Sequence, residues 1–226
     1  MKRLLIIFTA LLMFATTMSA GEKLTIRDIT GSKFSAKMVN GMNPISGTDT
    51  YARIEGKKIV SYSFKTGKQV SVLFDADNTI GKKIDGFDSY IFSPDGKRML
   101  IQTKTEKIYR RSYKAEFYIY NIASRRLDPL SDGGPQQVPT WSNDGLQVAF
   151  VRDNNIFLVK LLYDNAEIQV TKDGKFNEVI NGLPDWVNEE EFTTARSFDF
   201  SSDSQMLAWV RYDESKVPVY SIQEFK

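Results

Sequence analysis

The hydrophobic pattern of the chain changes once, near residue 20. Met1-Lys2-Arg3 is basic, Leu4 to Ala15 is apolar apart from Thr9, and Thr16 to Ala20 is small and weakly polar before Gly21-Glu22-Lys23. The apolar stretch is shorter than the roughly 20 residues of a membrane span. Its basic–apolar–small order is that of a secretory signal peptide over residues 1–20, cleaved after Ala20. Beyond it, apolar and polar residues alternate with period two, the pattern of half-buried strands. Lys58–Phe64 and Lys68–Phe74 read as a hairpin around Lys65-Thr66-Gly67. Phe117–Asn121 and Leu127–Leu130 flank a turn at Ala123–Arg126. Asn155–Val159 leads to an outer strand, Ala166–Thr171, and a turn at Lys172-Asp173-Gly174. No amphipathic helix of ordinary length stands out after the signal.

Three segments repeat one another. Tyr90–Ile101, Pro139–Phe150 and Phe198–Trp209 each carry an aromatic residue, then Ser-x-Asp-Gly or a close variant, then an alternating apolar strand. The aromatics Phe92, Trp141 and Phe200 are 49 and 59 residues apart. Repeats of this length with several strands each are the mark of β-propeller blades. In that reading the aromatic ends an inner strand, and Asp-Gly supplies the positive φ of a tight turn. Ser204 stands where the third copy should have Gly, which predicts a turn of another type. A β-sandwich fits the alternation alone; the recurring turn favours the propeller. The expected fold is all-β, a partial β-propeller of about three to four blades of 40–60 residues. A short helical, acidic insertion near 181–195 interrupts it, between two blades.

Composition narrows the chemistry. The 226 residues include no His and no Cys. A Ser-His-Asp triad, a His base, an HExxH zinc site, disulfides and thiolate ligands are therefore excluded within this sequence. Lys and Arg total 30 against 28 Asp and Glu, and Lys2 and Arg3 in the signal account for the excess. That balance gives no basic face for nucleic acid. No metal or cofactor is expected.

The insertion holds the one segment with candidate chemistry, Asp185-Trp186-Val187-Asn188-Glu189-Glu190-Glu191-Phe192. Pro184 and Asp185 can start a short helix, with Trp186 and Phe192 as buried anchors at its ends. Adjacent carboxylates held against one cavity repel unless a cation neutralises them. A primary ammonium, with three N–H donors and one charge, suits them.

These residues resemble the double-glutamate motif of the dipeptidyl peptidase IV type of prolyl oligopeptidase-related serine peptidases, which usually has an aromatic at the place of Asn188. Tyr109-Arg110-Arg111-Ser112-Tyr113, leading into Phe117–Asn121, is similar to the family's substrate-contacting arginine and the Tyr-rich strand after it. Trp209–Tyr212, followed by Asp213 to Pro218, resembles the strand after the motif. The resemblance covers about residues 40–226. It implies that Glu190 and Glu191 hold a substrate's free α-amino group, with Glu189 and Trp186 in support. Arg110, or failing it Arg111, would orient the substrate's backbone carbonyl. It also implies an N-terminal propeller capping a C-terminal α/β-hydrolase domain that carries the catalytic residues. This sequence has no Gly-x-Ser-x-Gly elbow, so no catalytic residue is assigned in it, and 21–226 is read as the N-terminal part of the propeller in a truncated or partial chain.

The function so implied is the substrate-gating part of an exported, periplasmic or cell-surface aminodipeptidase that releases X-Pro or X-Ala dipeptides. Its partners would be peptides with a free N-terminus and the missing hydrolase domain, with homodimerisation of the full protein left open. The alternative is a non-catalytic, propeller-like binding module of the bacterial envelope.

Overall fold

A computed structural model describes residues 23–36 and 41–223. The segment read as a signal peptide, residues 1–20, lies outside the described residues. The chain divides into two compact units, residues 1–40 and 41–226. In the first, helix α1 (Ile26–Thr30) starts on a reciprocal cap. The Asp28 N–H donates to Thr25 Oγ1 at 3.2 Å, and the Thr25 N–H donates to the Asp28 carboxylate at 2.9 Å.

The second unit is strand-dominated. Its first sheet is an antiparallel meander of β1 (Asn43–Pro44), β2 (Thr50–Glu55), β3 (Lys58–Ser63) and β4 (Gln69–Asp75). The expected β3–β4 hairpin turns at Gly67, whose φ is +66°. The second sheet runs β6 (Ser89–Phe92), β7 (Arg98–Lys107), β8 (Tyr113–Asn121) and β9 (Arg126–Pro129), with β5 (Ile80–Gly81) added parallel to β9. The third is β10 (Gln137–Trp141), β11 (Gln147–Arg152), β12 (Asn155–Lys160) and β13 (Ala166–Gln169). Phe92 and Trp141 each end the first strand of an antiparallel meander, as the repeat predicts.

The fourth group corrects the sequence reading. β14 (Val179–Asn181) pairs β17 (Arg211–Asp213), and β15 (Phe198–Phe200) pairs β16 (Leu207–Trp209). β16 and β17 are separated only by Val210, so β14 and β15 are two halves of one edge strand. The insertion leaves and re-enters within that strand instead of falling between two blades. Its base is closed by three backbone hydrogen bonds: Gly182 N–H to Val210 O (3.1 Å), Val210 N–H to Ser197 O (2.8 Å) and Ser197 N–H to Gly182 O (2.9 Å). An excursion closed this way costs the ladder nothing on either side.

Strands in the middle sheets are buried on both faces, and period two decides which neighbour each residue meets. Met99 and Ile101 of β7, with Tyr118 and Tyr120 of β8, join Ala52, Ile59 and Phe74 of the first sheet. Leu100, Phe117 and Ile119 point the other way, to Trp141, Val148, Phe150 and Phe157 of the third sheet. Ala149 and Val151 of β11 then meet Leu183 and Phe198 of the fourth group. The core is thus a series of layers between consecutive sheets, each fully buried Val, Leu, Ile, Met or Phe side chain stabilising by about 1.5–3 kcal/mol. Phe74 meets Tyr120 edge-on, with ring centroids 4.8 Å apart.

Ser204 gives a second correction. Its φ is +62°, beside +67° for Gly96 and +69° for Gly145. All three turns close with the same bond, from the N–H of this residue to the carbonyl of the Ser three positions earlier, at 2.9 Å. The turn type is conserved within the chain although the Gly is not.

Candidate substrate-recognition site

The site is built where the β7–β8 hairpin meets the insertion. β7 and β8 run past their sheet as an arm: the register shifts between Thr103 and Glu106, where Lys104 has φ +51°. Lys104 reaches Glu116 at 2.8 Å and Lys114 reaches Glu106 at 3.0 Å, so the charges pair symmetrically about Arg110. The Lys104 ammonium holds the Glu116 carboxyl below its usual range. Glu116 in turn accepts the Tyr118 hydroxyl at 2.9 Å, and burial together with that bond pushes Tyr118 up to about 12. At the tip, the Ile108 N–H donates to Ser112 O at 2.9 Å, closing a loop that presents Arg110 and Arg111.

Opposite the tip stands helix α2 (Trp186–Phe192). Asp185 is its N-cap, accepting the Asn188 N–H at 2.7 Å and the Asn188 side-chain amide at 2.8 Å. Asn188, where the family carries an aromatic, therefore serves the cap. Thr193 ends the helix in the left-handed region.

The helix turns its three glutamates in different directions. Glu189 is 3% exposed, and its Oε1 accepts the backbone N–H groups of Arg111 (3.0 Å) and Ser112 (2.8 Å). Glu190 Oε2 lies 3.2 Å from Arg110 Nε; the Glu190 side chain is 15% exposed and that of Arg110 70%. Glu191 is exposed and forms no ion pair among the described residues. Arg110, not Arg111, is thus the arginine brought to the acidic segment; Arg111 contributes its backbone N–H. Among the described residues no cluster of His, Cys, Asp or Glu could hold a metal ion.

The expected anchors are not buried. Trp186 is 57% exposed and Phe192 69%. Both lie at the ends of a two-turn helix whose inward side is taken by Glu189, so a polar bracket, not aromatic burial, fixes the helix. Leu183, just before the helix, is the residue of this segment that enters the core. Sequence reasoning missed the arm and the bracket. The opposite charges at 104 and 116 and at 106 and 114 were the available signal for the arm; nothing local announced the bracket.

The chain is similar to proteins of one family. The family model for the dipeptidyl peptidase IV (DPP IV) N-terminal region matches residues 93–226. A probable dipeptidyl-aminopeptidase B of Tuber melanosporum is 32% identical over 92% of this chain and 25% of its own length. Human prolyl endopeptidase FAP is 31% identical over 87% of this chain and 25% of its own. The crystal structure of Porphyromonas gingivalis dipeptidyl peptidase 4 superposes with a TM-score of 0.78 at 38% identity, over 87% of this chain and 28% of that one. The chain spans about a quarter of the length of these relatives. With that family model matching more than half of its residues and relatives above 30% identity over most of its length, it belongs to the dipeptidyl peptidase IV N-terminal region family.

Proposed function

We propose that this chain recognises the substrate N-terminus for an exported serine-type dipeptidyl aminopeptidase, whose nucleophile, acid and base lie outside the present sequence. The observation that carries the reading is the Glu190–Arg110 pair, held at 3.2 Å by two elements far apart in sequence. A peptide N-terminus offers an ammonium followed closely by a carbonyl. A carboxylate beside a guanidinium is the complement of that order, and each charge-assisted hydrogen bond is worth about 1.5–3 kcal/mol. Glu191, exposed on the same helix, supplies the second carboxylate for the ammonium. An amine held there would set the distance to the scissile bond at two residues, the length of a released dipeptide.

The test is made in the full-length enzyme. Glu190→Gln or Glu191→Gln is expected to lower kcat/KM for free-amine dipeptidyl substrates about tenfold or more, each 1.4 kcal/mol being one decade. Blocking the substrate's N-terminus should cost the wild type a similar factor and the double variant little more. Wild-type turnover by the double variant would overturn the reading. Export is tested separately: the native protein should begin near Gly21, and intact Met1–Ala20 in soluble cytoplasm would contradict it.

A further inference from the structure

We propose that Glu189 is a positioning residue that pins the arm tip to α2 by the reach of its side chain, not by its charge, and so delivers Arg110 to Glu190. The inference rests on the recognition role of Glu190 and Arg110 proposed above. Glu189 and Glu190 are neighbours on the helix, and Arg111 and Arg110 are neighbours on the loop. The buried bracket and the ion pair are therefore adjacent rungs between the same two elements.

The rungs differ in what they can do. Arg110 is mostly exposed, and an exposed ion pair is too weak to hold two long side chains in one geometry. Glu189 is almost fully buried and directs one oxygen at two backbone N–H groups, 77 and 78 residues away in sequence. Backbone donors carry no side-chain entropy, so the contact locates the loop itself. Glu189 makes no ion pair among the described residues, and burial keeps its carboxylate from solvent and ligand alike. It is not a third carboxylate for the substrate amine.

Two substitutions separate reach from charge. Glu189→Gln keeps the acceptor oxygen at the same distance and removes the charge. Glu189→Asp keeps the charge and draws the oxygen back by about 1.5 Å, one carbon–carbon bond. Two readouts are taken on the full-length enzyme: the kcat/KM preference for a free over an acetylated substrate N-terminus, and hydrogen exchange at the Arg111 and Ser112 amides. Glu189→Ala and Glu189→Asp are expected to lower the preference about tenfold, mainly through KM, and to speed exchange at both amides. Glu189→Gln should lose about threefold or less and keep the amides protected. A merely structural role would lower turnover of both substrates alike and leave the preference unchanged. Glu189→Asp outperforming Glu189→Gln would overturn the inference in favour of a charge role. So would a free-amine preference that survives Glu189→Ala but is lost in Glu190→Gln, an outcome that leaves the recognition reading standing. An unchanged preference in Glu190→Gln overturns that reading, and this inference with it.

Discussion

The hydroxyl oxygen of Ser204 accepts a hydrogen bond from the Asp144 N–H at 3.1 Å. The contact joins the β15–β16 turn to the β10–β11 turn of the preceding sheet. Gln147 Nε2 adds a bond to Ser204 O at 3.2 Å, and Asn143 Nδ2 one to Ser201 O at 3.0 Å. A left-handed backbone costs a residue with a Cβ roughly 1–2 kcal/mol. At Ser204, which is 3% exposed, the side chain offsets that cost by clasping the neighbouring blade.

Ser204→Ala should therefore be worse than Ser204→Gly. Alanine keeps the strained φ and loses the acceptor, leaving the Asp144 N–H without its partner, a loss of about 1–3 kcal/mol. Glycine loses the same bond but relieves the strain, for a net effect within about 1 kcal/mol. Denaturant midpoints of the two variants check the order; equal midpoints would mean that the left-handed backbone costs nothing at this position, and a wild-type midpoint in Ser204→Ala would mean that the clasp contributes nothing.

Gly182 sits at the base of the insertion with φ +76°, where an added Cβ would come within 3.0 Å of Ile156 Cδ1 and 3.1 Å of Phe198 Cδ1. Gly182→Ala combines positive-φ strain with overpacking and should cost about 2–4 kcal/mol. Because Gly182 and Ser197 close the insertion, KM for free-amine substrates should rise in the same variant. Thermal melting and steady-state kinetics measure both, and an unshifted Tm would refute the packing argument.

The two arginines at the arm tip should separate cleanly. Arg110→Ala removes the guanidinium paired with Glu190 and should lower kcat/KM for free-amine dipeptidyl substrates about tenfold. Arg111→Ala leaves the backbone N–H that Glu189 uses and should cost far less. A larger effect at Arg111 would assign the substrate contact to the wrong residue.

Acid should loosen the repeated turns. At Asp203 the Ser201 hydroxyl and then the Gln205 N–H hold the carboxyl below its usual value. At Asp95 burial works in the opposite direction, but the Ser93 hydroxyl, the Lys97 N–H and the nearby cations outweigh it, and the net shift is again downward. A carboxylate with a depressed folded pKa contributes stability that is full above its unfolded value, about 3.9, and is lost as pH falls through the folded value. Stability should thus decline below about pH 4. In Asp203→Asn that part of the decline should be smaller; an identical acid limb in the variant would place the loss elsewhere.

The local part of this structure was legible in the amino-acid sequence. The short apolar runs Met99–Ile101 and Val148–Val151, and Asp-Gly after Ser93 and Ser142, specify strands and tight turns, because both depend on residues a few positions apart. Asp185 as a helix start is local in the same way; Glu190, Glu191 and Arg110 stood out through the resemblance to a family, and no local pattern brings them together. Only the tertiary structure decided the rest. Glu189 faces inward because two N–H groups 77 and 78 residues away are there to receive it, and that partner leaves Trp186 and Phe192 on the outside. Ser204 keeps a glycine's backbone because the preceding blade supplies a donor. The insertion splits one strand because Val210 closes the ladder behind it. In each case the deciding group is remote in sequence, and a periodicity read over a dozen residues cannot contain it.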